Sequence, residues 1–294
     1  MAIVILSRGK SGLSKCVSHY LVAMASADLI VVFTAVIGEE INNMYLFANF
    51  LLITPVCAVT VVLRVAAMDC SVWFTVAFTF DRFIAICCQK VRERYCTQRT
   101  ARLVIVAVGT LSCGKAIPVF FTVEPHAILD HVPWRCVATP EYLTSSGWKA
   151  YEYIDSIITP LLPIILMLLF NCSTIRHIIA ANKVRRGLRC TSENQKDPEM
   201  ENRKKSMILL FAISANFILL WIFYVVHSLI WQTQNYTYTD KYLNTPVYIA
   251  QQVSFMLRLL SVCTNTCIYV LTQRKFREEM AKGVKYIFCL TPKN

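Results

Sequence analysis

Charged residues inside apolar stretches are the chemically informative feature of this chain. Asp28, Arg64, Asp69, the adjacent pair Asp81-Arg82 and Arg258 all lie in runs long enough to cross a bilayer. A charge at the membrane centre costs ~2.5–3.5 kcal/mol or more on insertion scales, so such residues pair, line a polar cavity or hold a ligand or ion. Their chemistry is recognition rather than bond making. No Ser/His/Asp order, His-x-x-x-His pair or glycine-rich phosphate loop stands out, and the 5 histidines are dispersed, so no enzyme is expected. The 13 cysteines form no Cys-x-x-Cys pair and no ligand cluster with histidine, which argues against zinc. Most of them sit in apolar runs as small core residues.

The elements that position these charges follow from composition. The chain is 56% hydrophobic and only 16% charged, against about a quarter charged in an ordinary soluble domain. Residues 55–88 form the longest apolar run, with Arg64, Asp69 and Asp81-Arg82 along it. At ~1.5 Å per residue it would reach roughly 50 Å, so it tilts across a ~30 Å hydrocarbon core or protrudes from it. Further spans are expected at 19–41, 103–123, 151–179, 206–231 and 246–271, with an amphipathic helix at 273–285 that aligns Phe276, Met280 and Val284. Residues 1–6 read as the tail of a further helix whose start is missing. The expected fold is one all-α, polytopic seven-transmembrane bundle, its first helix largely truncated, ending in a short amphipathic helix.

The net charge of +12 does not imply nucleic acid, because the basic residues fall in blocks between apolar runs. Those blocks occupy 7–18, 89–102, 183–205 and the stretch after 272, while Lys115, Arg135, Lys149 and Lys241 are scattered between the opposite ends. The positive-inside rule then places the blocks and the C-terminus in the cytosol. Asn235-Tyr236-Thr237 is a glycosylation sequon on the expected outer side. Asn171-Cys172-Ser173 also matches but lies within a span and is set aside.

Several motifs occur in a telling order. These are Ala25-Ser26-Ala27-Asp28, Asp81-Arg82-Phe83, Pro163, Trp221, Asn265-Thr266-Cys267-Ile268-Tyr269 and Phe276. Together they resemble the class A, rhodopsin-like G-protein-coupled receptors over nearly the whole chain. Phrases such as FTFDRFIAICCQK and LLFAISANFILLW resemble one vertebrate subgroup of that family. The chain departs from the family pattern at Phe223 and Thr266, which replace prolines, at Asn171, which replaces a tyrosine, and in lacking the helix-4 tryptophan.

The resemblance implies a plasma-membrane receptor that binds a small extracellular ligand and activates a heterotrimeric G protein on its cytosolic face. Arg82, held at rest by Asp81, is the implied output residue, and Tyr269 is implied in G-protein coupling with them; otherwise Arg82 is a membrane-edge arginine reaching for headgroups. Because the inner end of helix 6 reads Asn202-Arg203-Lys204-Lys205 near Glu201, a weak inner lock and basal activity are expected. Asp28, Ser71 and Asn265 resemble the family's sodium pocket, the ion being an allosteric modulator; the alternative is a protonated Asp28 bonded to Asn265. No other cofactor is expected. Cys57 and Cys136 match the disulfide that ties the second outer loop over the pocket.

Arg64, eighteen residues or about five turns from Arg82, shares its helix face. With Arg258, Tyr224, His227, Gln251 and Phe255 it would line the ligand pocket, suiting a carboxylate and an aromatic body such as an aromatic amino acid or peptide. Alternatively the two arginines pair internally with Glu39, Glu40 or Asp69. Cys289 beside Ile287 and Phe288 is a palmitoylation candidate, and the basic loop from Lys183 to Lys205 suits docking of G protein or anionic lipid. A non-signalling pseudoreceptor and a transporter are the competing functions.

Overall fold

The computed structural model describes residues 2–8, 13–41, 50–188, 198–233 and 245–290, with side chains at all of these except 39–41, 184–188, 198–206, 232–233, 245 and 286–290. Among the described residues six helical segments are long and apolar enough to cross a membrane. The chain is therefore a multi-pass membrane protein, a helical bundle in which α3, Thr54–Cys87, is central. It packs against α2, Lys15–Val32, α5, Gln98–Ala116, α8, Leu162–Leu188, and α9, Pro198–Thr233. The other helices are α1, Ala2–Ser7, α4, Gln89–Tyr95, the short α6, Pro140–Thr144, α7, Ser146–Ser156, α10, Thr245–Thr272, and the amphipathic α11, Arg274–Leu290.

Several helices begin earlier than hydropathy suggests, because polar caps extend them beyond the apolar run. Ser14 caps α2 by accepting from the Val17 N–H, four residues ahead of the expected start. Thr97 caps α5 through the Thr100 N–H at 3.2 Å. The stretch between α3 and α5 is not a plain loop, since α4 occupies most of it. The expected single span at 151–179 is a composite: α7 passes into a wide turn at Ile157–Leu161, where Thr159 leaves helical geometry just before Pro160, and then into α8. Lys115, counted from the sequence with the charges of the opposite ends although it falls within the expected span at 103–123, lies in the last turn of α5.

Between α5 and α7 the long loop is ordered by a β-hairpin, β1 Val123–Leu129 paired antiparallel with β2 Val132–Ala138. The Cys57–Cys136 disulfide ties β2 to the first turn of α3 with a Cα–Cα distance of 6.2 Å. Thr54 Oγ1 reinforces the join by donating to the Arg135 carbonyl at 2.9 Å.

Among the described residues two larger apolar clusters and a small third one, of Val31, Ala67 and Val262, hold the bundle. At the Asp81 end, Leu6, Tyr20, Met24, Phe78, Leu209, Ile213, Tyr269 and Phe276 knit α1, α2, α3, α9, α10 and α11 together. Phe276 is fully buried there, which explains why the amphipathic helix is pinned by its apolar face. Nearer the hairpin end, Val72, Val76, Ile164, Met167, Phe217 and Trp221 join α3, α8 and α9. By contrast α5 buries only Ala101, Ser112 and Ala116 among its side chains and turns Leu103, Val106 and Leu111 outward, as a peripheral helix facing lipid does. Gly38 marks a close approach, where a β-carbon would come within 3.0 Å of Thr60 Cγ2 on α3.

Candidate functional site

The hairpin half of the bundle contains a cavity of about 450 Å³. Arg64, Tyr224, Gln251, Phe255 and Arg258 line it, as do Asp69 and Asp155. Helix periodicity explains the convergence: Gln251, Phe255 and Arg258 recur at spacings of four and three on α10, so one face carries all of them. The Arg258 guanidinium lies 4.1 Å above the Tyr224 ring centre and 5.8 Å from that of Phe255. Cation–π contact of this kind is worth up to ~2 kcal/mol when desolvated. Arg258 Nε is buried and has no hydrogen-bond partner among the described residues. His227 is absent from the lining and stacks on Trp231, ring centres 6.3 Å apart.

The opposite wall is acidic. Lys115 Nζ lies 2.7 Å from Asp69 Oδ2, forms an ion pair with Asp155 and approaches Thr159 Oγ1 at 3.4 Å. The Asp69 contact is an ion pair that buries the carboxylate against the ammonium. Asp69 is thus paired with Lys115, an arrangement not among the alternatives drawn from the sequence. Asp155 and Thr159 were missed, and Lys115 was given no site role, because none of the three belongs to a family motif. The available signal was a lone lysine and a lone aspartate in two separate apolar spans, since intramembrane charges come in pairs.

Above the cavity, Tyr142 on α6 donates its hydroxyl to Glu152 on α7, and Trp148 bridges Tyr142 and Tyr151 by edge-on contacts at 5.6 and 5.7 Å. Burial first, and the Glu152 charge second, push the Tyr142 phenol well above its usual range. It stays a neutral donor and ties α6 to α7.

Midway along the bundle Asp28 is buried, with Oδ1 accepting from Ser71 Oγ and Oδ2 from Asn265 Nδ2 at 2.9 Å. The set offers oxygens from a carboxylate, a hydroxyl and an amide, which suits a hard cation such as sodium. Both carboxylate oxygens are also satisfied by neutral donors alone. No group of three or more His, Cys, Asp or Glu that would hold a softer metal occurs among the described residues. Nearby, Thr264 Oγ1 donates to Asn216 Oδ1 at 3.0 Å and stitches α9 to α10.

At the far end Asp81 is fully buried and pairs with Arg82, whose Nε lies 3.0 Å from Asp81 Oδ2. Cys16 Sγ on α2 donates to the other oxygen at 3.2 Å, a partner not anticipated from the sequence. Cys96 Sγ points at the Asp81 carbonyl at 3.7 Å, and burial, then the Asp81 charge, raise its thiol to about 11. Phe83 stacks on Phe170 of α8 at 5.6 Å, a contact that fixes α3 to α8 beside the charged pair. Tyr269 is buried edge-on against Phe276. Asn235 lies outside the described residues, as do the side chains of Glu39, Glu40, Glu201, Arg203 and Cys289.

The model of the 7 transmembrane receptor (rhodopsin family) matches residues 1–269. Among curated proteins the chain is 26% identical over 271 residues to the probable G-protein coupled receptor 142 of Mus musculus, covering 88% of this chain and 63% of that protein. It is 24% identical over 229 residues to the tachykinin-like peptides receptor 86C of Drosophila melanogaster, covering 75% and 43%. It is 23% identical over 218 residues to the GQ-coupled rhodopsin of Mizuhopecten yessoensis, covering 72% and 42%. The chain thus spans about half the length of the curated relatives it matches.

Proposed function

The chain belongs to the rhodopsin family of seven-transmembrane receptors, and from that premise we propose that it is a plasma-membrane receptor that binds a small extracellular ligand and activates a heterotrimeric G protein. The observation that carries this reading is the pair of sites at opposite ends of one helix. α3 contributes Arg64 and Asp69 to the cavity near the hairpin and Asp81-Arg82 at its other end. A ligand that prefers one helix arrangement shifts the population toward it, and no catalytic residue is required.

In this reading the C-terminus and the basic blocks face the cytosol by the positive-inside rule. The ligand is aromatic amino-acid-like or peptide-like and carries an anionic group for Arg258 and Arg64, with Tyr224 and Phe255 providing aromatic walls. The chain's sequence phrases resemble those of the vertebrate probable G-protein coupled receptor 139 and its fish relatives, but Arg64 stands where those receptors carry an acidic residue, so their ligands do not carry over directly. Sodium, held by Asp28, Ser71 and Asn265, would neutralise the buried carboxylate and favour the resting arrangement. Asn235 would be glycosylated, and Cys289 palmitoylated to anchor α11 against the bilayer.

The second reading, a non-signalling receptor, is favoured by α9 and α10, which run unbroken past Phe223 and Thr266 where the family has prolines. The deciding experiment is G-protein activation in cells, across the main Gα classes, comparing the chain with Arg82→Ala at matched surface expression. A basal or ligand-driven signal that disappears in Arg82→Ala is the expected result. Silence from every well-expressed form would favour the non-signalling reading.

A further inference from the structure

The cavity has two poles of opposite charge. On one wall Asp69 and Asp155 share a single ammonium, Lys115. On the other Arg258 stands beside Arg64, its Nε unbonded and its guanidinium held flat over Tyr224. Desolvated charge of either sign is costly unless paired, and both poles open into the same space. An anion alone would satisfy one pole and a cation alone the other. Arg64 and Asp69, both on α3, give the scale: five residues separate them by ~7.5 Å along the helix and about 140° around it. An α-amino acid holds its ammonium and carboxylate on adjacent carbons, a shorter reach than the span between those two helix positions.

We propose that the cavity binds an elongated zwitterion, with its carboxylate on Arg258 and its ammonium between Asp155 and Asp69. Lys115 then acts as a tethered stand-in for the ligand cation, which the arriving ammonium displaces from Asp155. Asp69, buried and paired with Lys115 at 2.7 Å, is the second carboxylate that the ligand ammonium faces. This rests on the receptor reading above and narrows its ligand class. Two sources share the chemistry, a short peptide with free termini and an ω-amino acid.

The test is ligand-induced thermal stabilisation of the purified chain in lipid nanodiscs. The probes are phenylalanine, glycyl-phenylalanyl-glycine, its N-acetylated and C-amidated forms, and 6-aminohexanoate. The free tripeptide is expected to bind at least tenfold more tightly than phenylalanine, and either cap to weaken it at least tenfold. Binding of 6-aminohexanoate in place of the tripeptide would identify the ω-amino-acid source. In Asp155→Asn the N-acetyl penalty should vanish, and in Arg258→Gln the amide penalty. Lys115→Met should tighten binding of the free-amine probes severalfold, a gain that a merely structural lysine would not produce. Phenylalanine binding as tightly as the tripeptide, indifference to capping, or no stabilisation by any probe would each overturn the proposal. The capping comparison needs only the unmodified chain, so a variant that fails to fold leaves the test intact. Basal G-protein activation that depends on Arg82, measured in parallel, separates the two readings. If that signal is present without probe binding, only the zwitterion assignment fails. If probes bind as expected without any Arg82-dependent signal, the receptor reading fails and the cavity assignment stands.

Discussion

Asp28 and Asp69 are both aspartates buried between helices, and they are accommodated by different means. Asp28 meets neutral donors, Ser71 and Asn265, one on each oxygen. Asp69 meets a charge, the Lys115 ammonium, which it shares with Asp155. Neutral donors tolerate a guest cation or a proton with little rearrangement, because no competing charge has to leave. A shared ammonium ties three helices by Coulomb attraction and must be displaced before another cation can bind. The first arrangement suits a modulator that comes and goes at rest. The second suits a ligand whose binding has to alter helix positions.

If this contrast is right, substitutions at the two aspartate sites should differ in size and character. The largest effect is expected for Lys115→Met, which leaves two carboxylates facing each other. Its cost should be about 2–3 kcal/mol, below the ~3–5 kcal/mol for breaking a fully buried pair, because the Lys115 and Asp155 side chains are 20% and 30% exposed. Thermal unfolding in detergent measures it, and an unchanged midpoint would show that the cluster does not hold α3, α5 and α7 together. Ser71→Ala comes next, at about 1.5 kcal/mol, since it removes one hydrogen bond to a buried carboxylate. The smallest loss is expected for Asp28→Asn, under about 1 kcal/mol, because an amide can still bond Ser71 and Asn265. The same variant should lose any difference between unfolding in sodium and in a bulky organic cation. A sodium effect that survives it would place the ion elsewhere.

The two sites also differed in how much of them the sequence disclosed. Asp28, Ser71 and Asn265 occupy positions in recognisable motifs, so their convergence was expected before any coordinates. Arg82 and the cysteines of the disulfide were legible through the family resemblance, and Arg64, Tyr224, Gln251, Phe255 and Arg258 of the cavity lining through resemblance and helix spacing together. The acidic pole was not. Asp69 was visible as a charge out of place, but Lys115 was counted with the charges of the opposite ends and Asp155 drew no notice. Cys16, the second partner of Asp81, was indistinguishable from the other cysteines in apolar runs.

What the sequence determined by itself is the membrane-spanning helical bundle and the depth of each charge, because hydropathy and the 1.5 Å helix rise are local quantities. What only the tertiary structure decided is which charges meet. Rotation of each helix about its axis and the caps that lengthen it depend on packing against neighbours distant in the chain. The turn at Thr159-Pro160, where α7 gives way to α8, lies between Asp155 and the rest of that span. The end of α5 at Ala116 places Lys115 in its last turn, where it meets Asp69 of α3 and Asp155 of α7. Partner choice among buried ions is settled by those rotations and offsets of an ångström or two, and no single stretch of sequence records them.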